Sequence, residues 1–169
     1  MADLSKTKSD PLQQLWDVME HVHAGMLGVQ GSDHHMQPMA PYVEKESNSV
    51  WFYTKSDSTL VETVRAGSRA HFCVISKDHD YHACLSGAID EVKSRDHIEK
   101  FWSPMVAAWY EGGKDDPLLT MLQLKVDDAA IWASTGSTLR FGWEMAKANL
   151  TNQEPDVGVF TELKLPQQA

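Results

Sequence analysis

The chain has few cysteines and no long apolar segment. It contains two cysteines among 169 residues, too few for a disulfide scaffold, and they lack the spacing of a zinc site. No apolar run reaches the ~18 residues of a membrane-spanning helix. The first ten residues are polar and contain no signal-peptide core. We therefore expect a cytoplasmic protein that does not use a membrane as a partner.

Positive charge is also scarce. The chain has 15 Lys and Arg residues against 24 Asp and Glu residues, a formal net charge of −9. Proteins bind nucleic acids and anionic lipid surfaces through cations, so this balance argues against both as partners. Hydrophobic residues make up 42% of the chain and charged residues 23%, as in an ordinary globular protein. Length and the lack of linkers or repeats predict one domain over residues 1–169, with frayed ends at residues 1–8 and 166–169.

Common catalytic and metal-binding patterns are missing as well. The sequence has no Walker or Rossmann glycine pattern, and no Ser-His-Asp or Cys-His arrangement stands out by spacing. Eight histidines are present, but none forms the i, i+4 pair of a helical zinc site, so we expect no metal site. Asp115 and Asp116 precede Pro117, a pattern more typical of a turn than of a cation site.

Turn signals divide the chain into short strands and a few helices. Asp10 and Pro11 mark a helix start, and residues 50–54 form the clearest strand. Residues 36–43 contain Pro38 and Pro41, which predict an edge or bulged strand there. Long crossover helices between strands are missing, which favours an antiparallel β-barrel with flanking helices, an α+β fold, over a doubly wound sheet. The other predicted strands are at 26–29, 70–76, 81–92, 122–126, 129–134 and 157–165. The other predicted helices are at 58–66, at 95–109 with an interruption at Pro104, and at 141–150.

A predicted hairpin brings the two cysteines together. A turn near His79 places Cys73 opposite Cys84 or Leu85, so the two sulfur atoms would be close across one strand pair. In a reducing cytoplasm we expect both to remain thiols and to serve as small core residues.

The segment after the clearest strand carries polar groups that suit a phosphate. Thr54, Lys55, Ser58 and Thr59 place three hydroxyls and one ammonium before a short helix, where unpaired backbone N–H groups also lie. An ordinary capped helix with Lys55 in solvent explains the same residues. The negative charge of Asp57 also opposes an anion at this point. Both interpretations stay open on these residues alone.

Apolar and aromatic residues suit a flat ligand. Pro38 is flanked by Met36 and Met39, which would form a soft apolar floor at a strand edge. Core methionines on a strained edge strand are the alternative. The chain also has six tryptophans, which are candidates for core, interface or ligand-binding residues.

Five short motifs occur in the same order as in one known family. Gln37-Pro38-Met39 stands where the family has Arg-Pro-Met, Trp51-Phe52-Tyr53-Thr54 where it has Trp-Phe-x-Thr, and Ser58-Thr59-Leu60 where it has Ser-x-Lys. Residues 109–117 are similar to its Trp-Phe-x-x-Gly-x-Asp-Asp-Pro element, and Ile131-Trp132 to a Tyr-Trp pair. The chain thus resembles the general stress protein 26 branch of the pyridoxamine 5'-phosphate oxidase-like flavoproteins.

This resemblance implies the FMN-binding split-barrel fold, with FMN, or FAD as a second candidate, held at the interface of a homodimer. It implies a role for thirteen positions. The flavin ring would be lined by Gln37, Pro38 and Met39. It would also be contacted by backbone atoms of Phe52, Tyr53 and Thr54 and by the Thr54 hydroxyl, and the phosphate would be held by Lys55, Ser58 and Thr59 beside Leu60. The candidates to come from the partner subunit are Trp102, Trp109 and Trp132.

Two departures from the family motifs concern charge. Gln37 replaces an arginine and Leu60 replaces a lysine. Losing a charge-assisted hydrogen bond costs about 1.5–3 kcal/mol, so we expect weaker flavin binding than in relatives with both cations. The C-terminal Arg-x-His that holds substrate in pyridoxamine-phosphate oxidases is also absent, so that activity is not expected.

The resemblance implies a flavin-binding protein of the bacterial stress response. Two alternatives stay open: a small flavin-dependent oxidoreductase that uses NAD(P)H or another reductant, and, with less support, a haem-binding protein. No residue is assigned a catalytic role.

Overall fold

An antiparallel sheet that curls into half a barrel forms the body of the protein. The computed structural model describes residues 2–134, 145–147 and 158–166. The strands follow the order β2-β1-β5-β6-β7-β4-β3, with β8 also paired to β7. This arrangement confirms the predicted antiparallel α+β barrel. The strands are β1 (Gly25–Val29), β2 (Gln37–Met39), β3 (Tyr42–Glu44), β4 (Ser49–Lys55), β5 (Arg69–Ile75), β6 (Tyr81–Val92), β7 (Leu119–Ser134) and β8 (Gly158–Lys164). The helices are α1 (Leu4–Ser9), α2 (Pro11–Met19), α3 (Thr59–Thr63), α4 (Arg95–Phe101) and α5 (Pro104–Ala107), with short 3-10 turns at Lys45–Ser47 and Gly113–Asp115.

The curl of the sheet follows from the short corner between β2 and β3. These strands lie at opposite ends of the strand order, yet only Ala40 and Pro41 separate them in the chain. Such a connection spans at most ~11 Å, so the sheet must bend until its two ends approach each other. Pro38 has no N–H to donate and lies in the edge strand β2, as predicted, but the single strand predicted over residues 36–43 is divided into β2 and β3.

One prediction of separate strands is wrong. Residues 122–126 and 129–134 belong to a single strand, β7. Asp127 and Asp128 interrupt the apolar alternation between the two predicted strands, but each carboxylate forms an ion pair. Arg69 donates to Asp127 at 2.7 Å, and Lys164 pairs with Asp128. The polar pair is therefore accommodated within the sheet instead of ending the strand.

A bulge bends the long β6–β7 ladder. The register shifts between Ser86 and Gly87. A Cβ atom on Gly87 would collide with the backbone carbonyl of Lys125, so the close approach of the two strands needs glycine here.

Successive residues of β4 face two different cores. Phe52 points into the main core, where its ring meets that of Phe72 with centroids 4.9 Å apart. Trp51 and Tyr53 point the other way, towards a smaller core that includes Ile98 and the helices α4 and α5. Burial of this second core fixes α5 beside β4, and so builds one wall of the candidate site.

The N-terminal region differs from the frayed end predicted over residues 1–8. Helix α1 begins after Asp3, whose carboxylate accepts from the Ser5 and Lys6 backbone N–H groups. Thr7 is fully buried, and its hydroxyl donates to the Gln14 side-chain oxygen at 2.7 Å. A buried, satisfied threonine anchors this helix to α2.

Other boundaries shift by a few residues. Helix α2 starts at Pro11 with Asp10 as N-cap, as predicted, and ends at Met19. Helix α3 has Ser58 as its N-cap and ends at Thr63, three residues before the predicted end at residue 66. Most of the helix predicted at 141–150, and residues 167–169, lie outside the described residues. Within the described part of the chain, no helix has the length and apolar character needed to span a membrane.

Candidate functional site

A cavity of about 450 Å³ lies where the β2–β3 corner, the end of β4 and helix α5 meet. Its lining combines apolar and aromatic side chains with hydroxyls and two charged groups. The lining residues are Pro38, Met39, Ala40, Tyr42, Tyr53, Thr54, Lys55, Asp57, Ser58, Met105, Val106, Trp109 and Tyr110. This volume falls in the range of small-molecule and cofactor sites.

The phenols of Tyr42, Tyr53 and Tyr110 form the inner wall. The Tyr42 and Tyr53 rings meet edge to face with centroids 5.1 Å apart, and the Tyr53 hydroxyl donates to the Ile98 carbonyl at 2.7 Å. Burial raises the pKa of Tyr42 and of Tyr53. Burial, with the charge of Asp116, raises the pKa of Tyr110 to about 12. All three phenols therefore stay protonated and neutral near neutral pH.

A row of hydroxyls marks the polar end of the cavity. The Thr54 and Ser58 hydroxyl oxygens are 3.1 Å apart, and Ser58 accepts the Val61 backbone N–H at 3.3 Å. Next to them, Gln37 Nε2 donates to Thr59 Oγ1 at 3.0 Å. Lys55 is exposed at the same end. This end thus offers several hydrogen-bond donors and one ammonium to an anionic group.

Helix α5 supplies the outer wall. Met105 and Trp109 are 76% and 75% exposed although both are large and apolar, and both line the cavity. The Ser103 hydroxyl caps the helix by accepting the Val106 N–H. Large apolar side chains left open at a cavity rim are typical of surfaces that a ligand or another chain covers.

The Asp-Asp-Pro element holds the loop after α5. The Asp116 carboxylate accepts backbone N–H groups from Gly112 at 3.2 Å and Leu118 at 2.9 Å, while Asp115 pairs with Arg95 at 2.6 Å. The interpretation of this element as a turn is confirmed. Its role at the site is indirect, since it fixes the chain that leads from Tyr110 back into β7.

Seven of the thirteen predicted positions line the cavity, and two more flank it. The lining positions are Pro38, Met39, Tyr53, Thr54, Lys55, Ser58 and Trp109. Gln37 and Thr59 lie beside them, joined by their hydrogen bond. Trp109 lines the cavity of its own chain.

The other four predicted positions have side chains elsewhere. Phe52 and Leu60 are 0% and 4% exposed in the main core, so neither side chain contributes to the cavity. Trp102 lies behind the wall, with ring centroids 6.1 Å from Tyr53 and 6.3 Å from Tyr110. Trp132 is on β7, packed on Phe160 at 5.3 Å and absent from the lining.

Several lining residues escaped prediction from the sequence. Tyr42 and Ala40 belong to the corner that follows the Pro-Met pair, and Met105 and Val106 lie on α5. Tyr110 was within the motif at residues 109–117, but no role was inferred for it. The usable signal was the apolar Met-Val pair directly after Pro104, only three residues before Trp109.

Comparison with known proteins agrees with this fold and motif set. Residues 10–156 match the family model "Pyridoxamine 5'-phosphate oxidase like", and the chain belongs to this family. The sequence comparison with curated proteins found no match.

Solved structures of general stress proteins are similar over most of the chain. One, described as a general stress protein 26 from Jannaschia sp. CCS1, is 32% identical, covers 93% of this chain and 99% of its own, and has a TM-score of 0.77. A general stress family protein from Xanthomonas campestris pv. campestris is 36% identical over 81% of this chain and 93% of its own, with a TM-score of 0.70. The general stress FMN/FAD binding protein from Xanthomonas citri is 36% identical over 75% and 90%, with a TM-score of 0.69. The split-barrel fold of this family is therefore that of the present chain.

Proposed function

We propose that the protein binds a flavin nucleotide, FMN or secondarily FAD, in the cavity between the β2–β3 corner and helix α5. One observation carries the proposal: the cavity joins an aromatic, apolar slot to a hydroxyl-rich end that also holds Lys55. A flavin mononucleotide has the same two parts, a flat ring and an anionic tail. A similar protein, from Xanthomonas citri, is named for FMN and FAD binding, which supports the choice of ligand.

The ring fits the apolar part of the cavity. Pro38 and Met39 would support one side of the ring, and Trp109 the other, while Tyr53 closes the inner end. A dry slot with few polar contacts is the usual setting for a planar cofactor. A bound flavin would supply the redox chemistry, and the chain would supply placement and exclusion of water.

The anionic tail fits the hydroxyl-rich end. Ser58, Thr59 and the Lys55 ammonium would contact the phosphate, and Gln37 would hold the Thr59 hydroxyl in place. Leu60, at the position of the family lysine, is buried and supplies no cation. Lys55 is therefore the cation that lines the cavity within the described residues, and we expect FMN to bind more weakly than in relatives with two further cations.

The proposal includes a homodimer. Met105 and Trp109 leave a large apolar rim open on one chain, and a partner subunit packed there would complete the slot. Sedimentation at micromolar concentration is expected to show particles of twice the 19.0 kDa chain mass. Particles of a single chain mass, with or without FMN, would contradict this part of the proposal.

Flavin titration tests the ligand directly. The purified apo-protein is titrated with FMN, FAD and riboflavin while flavin fluorescence is followed. We expect FMN to bind about tenfold or more tightly than riboflavin, because riboflavin lacks the phosphate. Equal affinity for FMN and riboflavin would overturn the phosphate assignment, and no binding of any flavin would overturn the proposal.

A matched pair of lysine variants locates the phosphate. Lys55→Ala removes the ammonium at the cavity, and we expect it to lower FMN affinity about tenfold while riboflavin affinity stays the same. Lys77→Ala removes an exposed ammonium on the turn between β5 and β6, outside the cavity, and serves as the control. Equal losses in both variants would mean that net charge, not a specific contact, sets the affinity.

A further inference from the structure

The two cysteines face each other directly across the β5–β6 hairpin. Cys73 pairs in register with Cys84, and their sulfur atoms are 3.4 Å apart. Both side chains are half-buried, so small oxidants can reach them. Neither β5 nor β6 contributes a residue to the cavity, so this pair is separate from the proposed flavin site.

The backbone pattern places this pair at a position suited to a disulfide. The Ser76 N–H donates to the Tyr81 carbonyl, and the Ile89 N–H donates to the Ser68 carbonyl. Antiparallel ladders alternate hydrogen-bonded and non-hydrogen-bonded residue pairs. Ser76 and Ser68 belong to hydrogen-bonded pairs, and Cys73 is an odd number of residues from each along the chain, so the Cys73–Cys84 pair is non-hydrogen-bonded. Side chains are closest at such pairs, and their Cα separation of about 4.5 Å falls in the disulfide range. A disulfide can therefore form without moving the strands.

The surroundings favour a reactive thiolate. The hydrogen bond from Cys84 lowers the pKa of Cys73 to about 7, against the effect of burial. The same bond to the neighbouring thiolate raises the pKa of Cys84. His71 Nδ1 lies 3.6 Å from Cys84 Sγ, and its Nε2 is 2.8 Å from Gln30 Nε2, which fixes the ring. Thus Cys73 is the sulfur with the greater thiolate character, and Cys84, 3.4 Å away, keeps its proton.

We infer that Cys73 and Cys84 form a peroxide-reactive dithiol that closes to an intramolecular disulfide. The Cys73 thiolate attacks a hydroperoxide; the O–O bond breaks, a sulfenic acid forms on Cys73, and the peroxide leaves as an alcohol or water after taking up a proton. The Cys84 sulfur then attacks the sulfenic sulfur, an S–S bond replaces the S–O bond, and the hydroxyl leaves as water with the Cys84 proton. Two thiols are oxidised and one peroxide is reduced.

Peroxide treatment of the full-length, untagged protein tests this inference. The reduced protein carries two titratable thiols. After stoichiometric hydrogen peroxide at neutral pH, we expect none, together with a mass loss of two hydrogen atoms and a monomeric band on a non-reducing denaturing gel. A dithiol reductant restores both thiols. Retention of both thiols, a mass gain from added oxygen, or a cross-linked pair of chains would overturn the inference.

Single serine variants separate the two sulfur atoms. Cys84→Ser removes the resolving thiol, and we expect a sulfenic acid on Cys73 that a dimedone-type reagent traps. Cys73→Ser leaves Cys84, whose pKa is still raised by burial and by the charge of Asp128, and we expect it to react with peroxide more slowly than Cys73 does in Cys84→Ser. Equal rates in the two variants would overturn the assignment of Cys73 as the attacking thiol, and the mass of the wild-type protein tests the disulfide even if a variant fails to fold. Flavin titration before and after oxidation keeps this result separate from the flavin proposal.

Discussion

Gln37 Nε2 donates a hydrogen bond to Thr59 Oγ1 at 3.0 Å and so joins strand β2 to the start of helix α3. The two residues are 22 positions apart in the chain, and they belong to the two motifs that the resemblance assigns to the flavin ring and its phosphate. This bond brings the two halves of the proposed site together. It also shows that Gln37 is directed to the polar end of the cavity.

The two positions where the family has a cation differ in exposure, so restoring the cation has a different expected result at each. Gln37 is partly exposed beside Thr59, so we expect Gln37→Arg to tighten FMN binding about tenfold with little change in riboflavin affinity. Leu60 is 4% exposed in the main core, so Leu60→Lys would bury an ammonium and lower the free energy of unfolding by roughly 2–4 kcal/mol. Flavin titration and urea unfolding measure the two effects. A Leu60→Lys protein of unchanged stability and tighter FMN binding would show that this side chain reaches the phosphate.

Trp109 and Trp132 are both exposed, and replacing each in turn tests whether the cavity wall is formed within one chain or supplied by the partner subunit. Trp109 lines the cavity, so we expect Trp109→Ala to weaken FMN binding about tenfold with little change in unfolding free energy. Trp132 packs on Phe160 away from the cavity, so Trp132→Ala is expected to leave FMN affinity unchanged. Weaker binding in the Trp132 variant alone would instead assign this wall to the partner subunit.

Glu44 makes stability dependent on acid pH. Burial opposes its ionisation, but hydrogen bonds from Lys100 at 2.6 Å and Ser47 at 2.6 Å, with the charges of Lys100 and His97, lower the pKa of Glu44 from an ordinary 4.5 to about 2. A folded-state pKa below the unfolded value adds stability above about pH 4.5, and this contribution is lost as pH falls towards 2.

Glu44→Gln therefore lowers the free energy of unfolding by about 1–2 kcal/mol at pH 7, and the difference from wild type shrinks as pH falls below 4.5. Glu99→Gln, which removes one partner of the exposed Arg95 pair, is the control and changes stability by less than about 0.5 kcal/mol. Urea unfolding at several pH values measures both. A pH-independent loss in Glu44→Gln would assign the effect to packing instead of charge.

Gly87 is the position where the β6–β7 ladder tolerates no side chain. Gly87→Ala would place a methyl group against the Lys125 carbonyl, and we expect a loss of at least about 2 kcal/mol of unfolding free energy. Gly31, with φ of 74° and open space around its Cβ position, provides the control, since alanine there costs only about 1 kcal/mol. Similar losses at both positions would mean that the strands separate to accept the methyl group.

Local patterns in the sequence predicted which residues form strands, but not where distant elements meet. Residues 50–54 were recognisable as a strand, and in the structure that strand directs Phe52 and Tyr53 to opposite sides. The side that each residue faces depends on which helices pack there, so the burial of Phe52 and Leu60 was not evident. Tyr42 and Met105 are brought to one cavity from segments more than sixty positions apart, and no periodicity within either segment encodes that contact.

The same limit explains why Cys73 and Cys84 were easier to place. They lie in one hairpin, where the turn alone sets the register, and the predicted pairing is confirmed by the structure. Trp132 and Trp109 lie on different elements of the second half, and spacing gave no means to tell which of them reaches the cavity.

The two-residue connection through Ala40 and Pro41 links ligand binding to the stability of the whole sheet. It joins the two ends of the curled sheet, and its Ala40 is also part of the cavity lining. A ligand bound at this connection would stabilise every strand between β2 and β3. We therefore expect flavin to raise the midpoint of a single thermal transition, by an amount that grows with the logarithm of flavin concentration over Kd, without creating a separate, more stable subdomain.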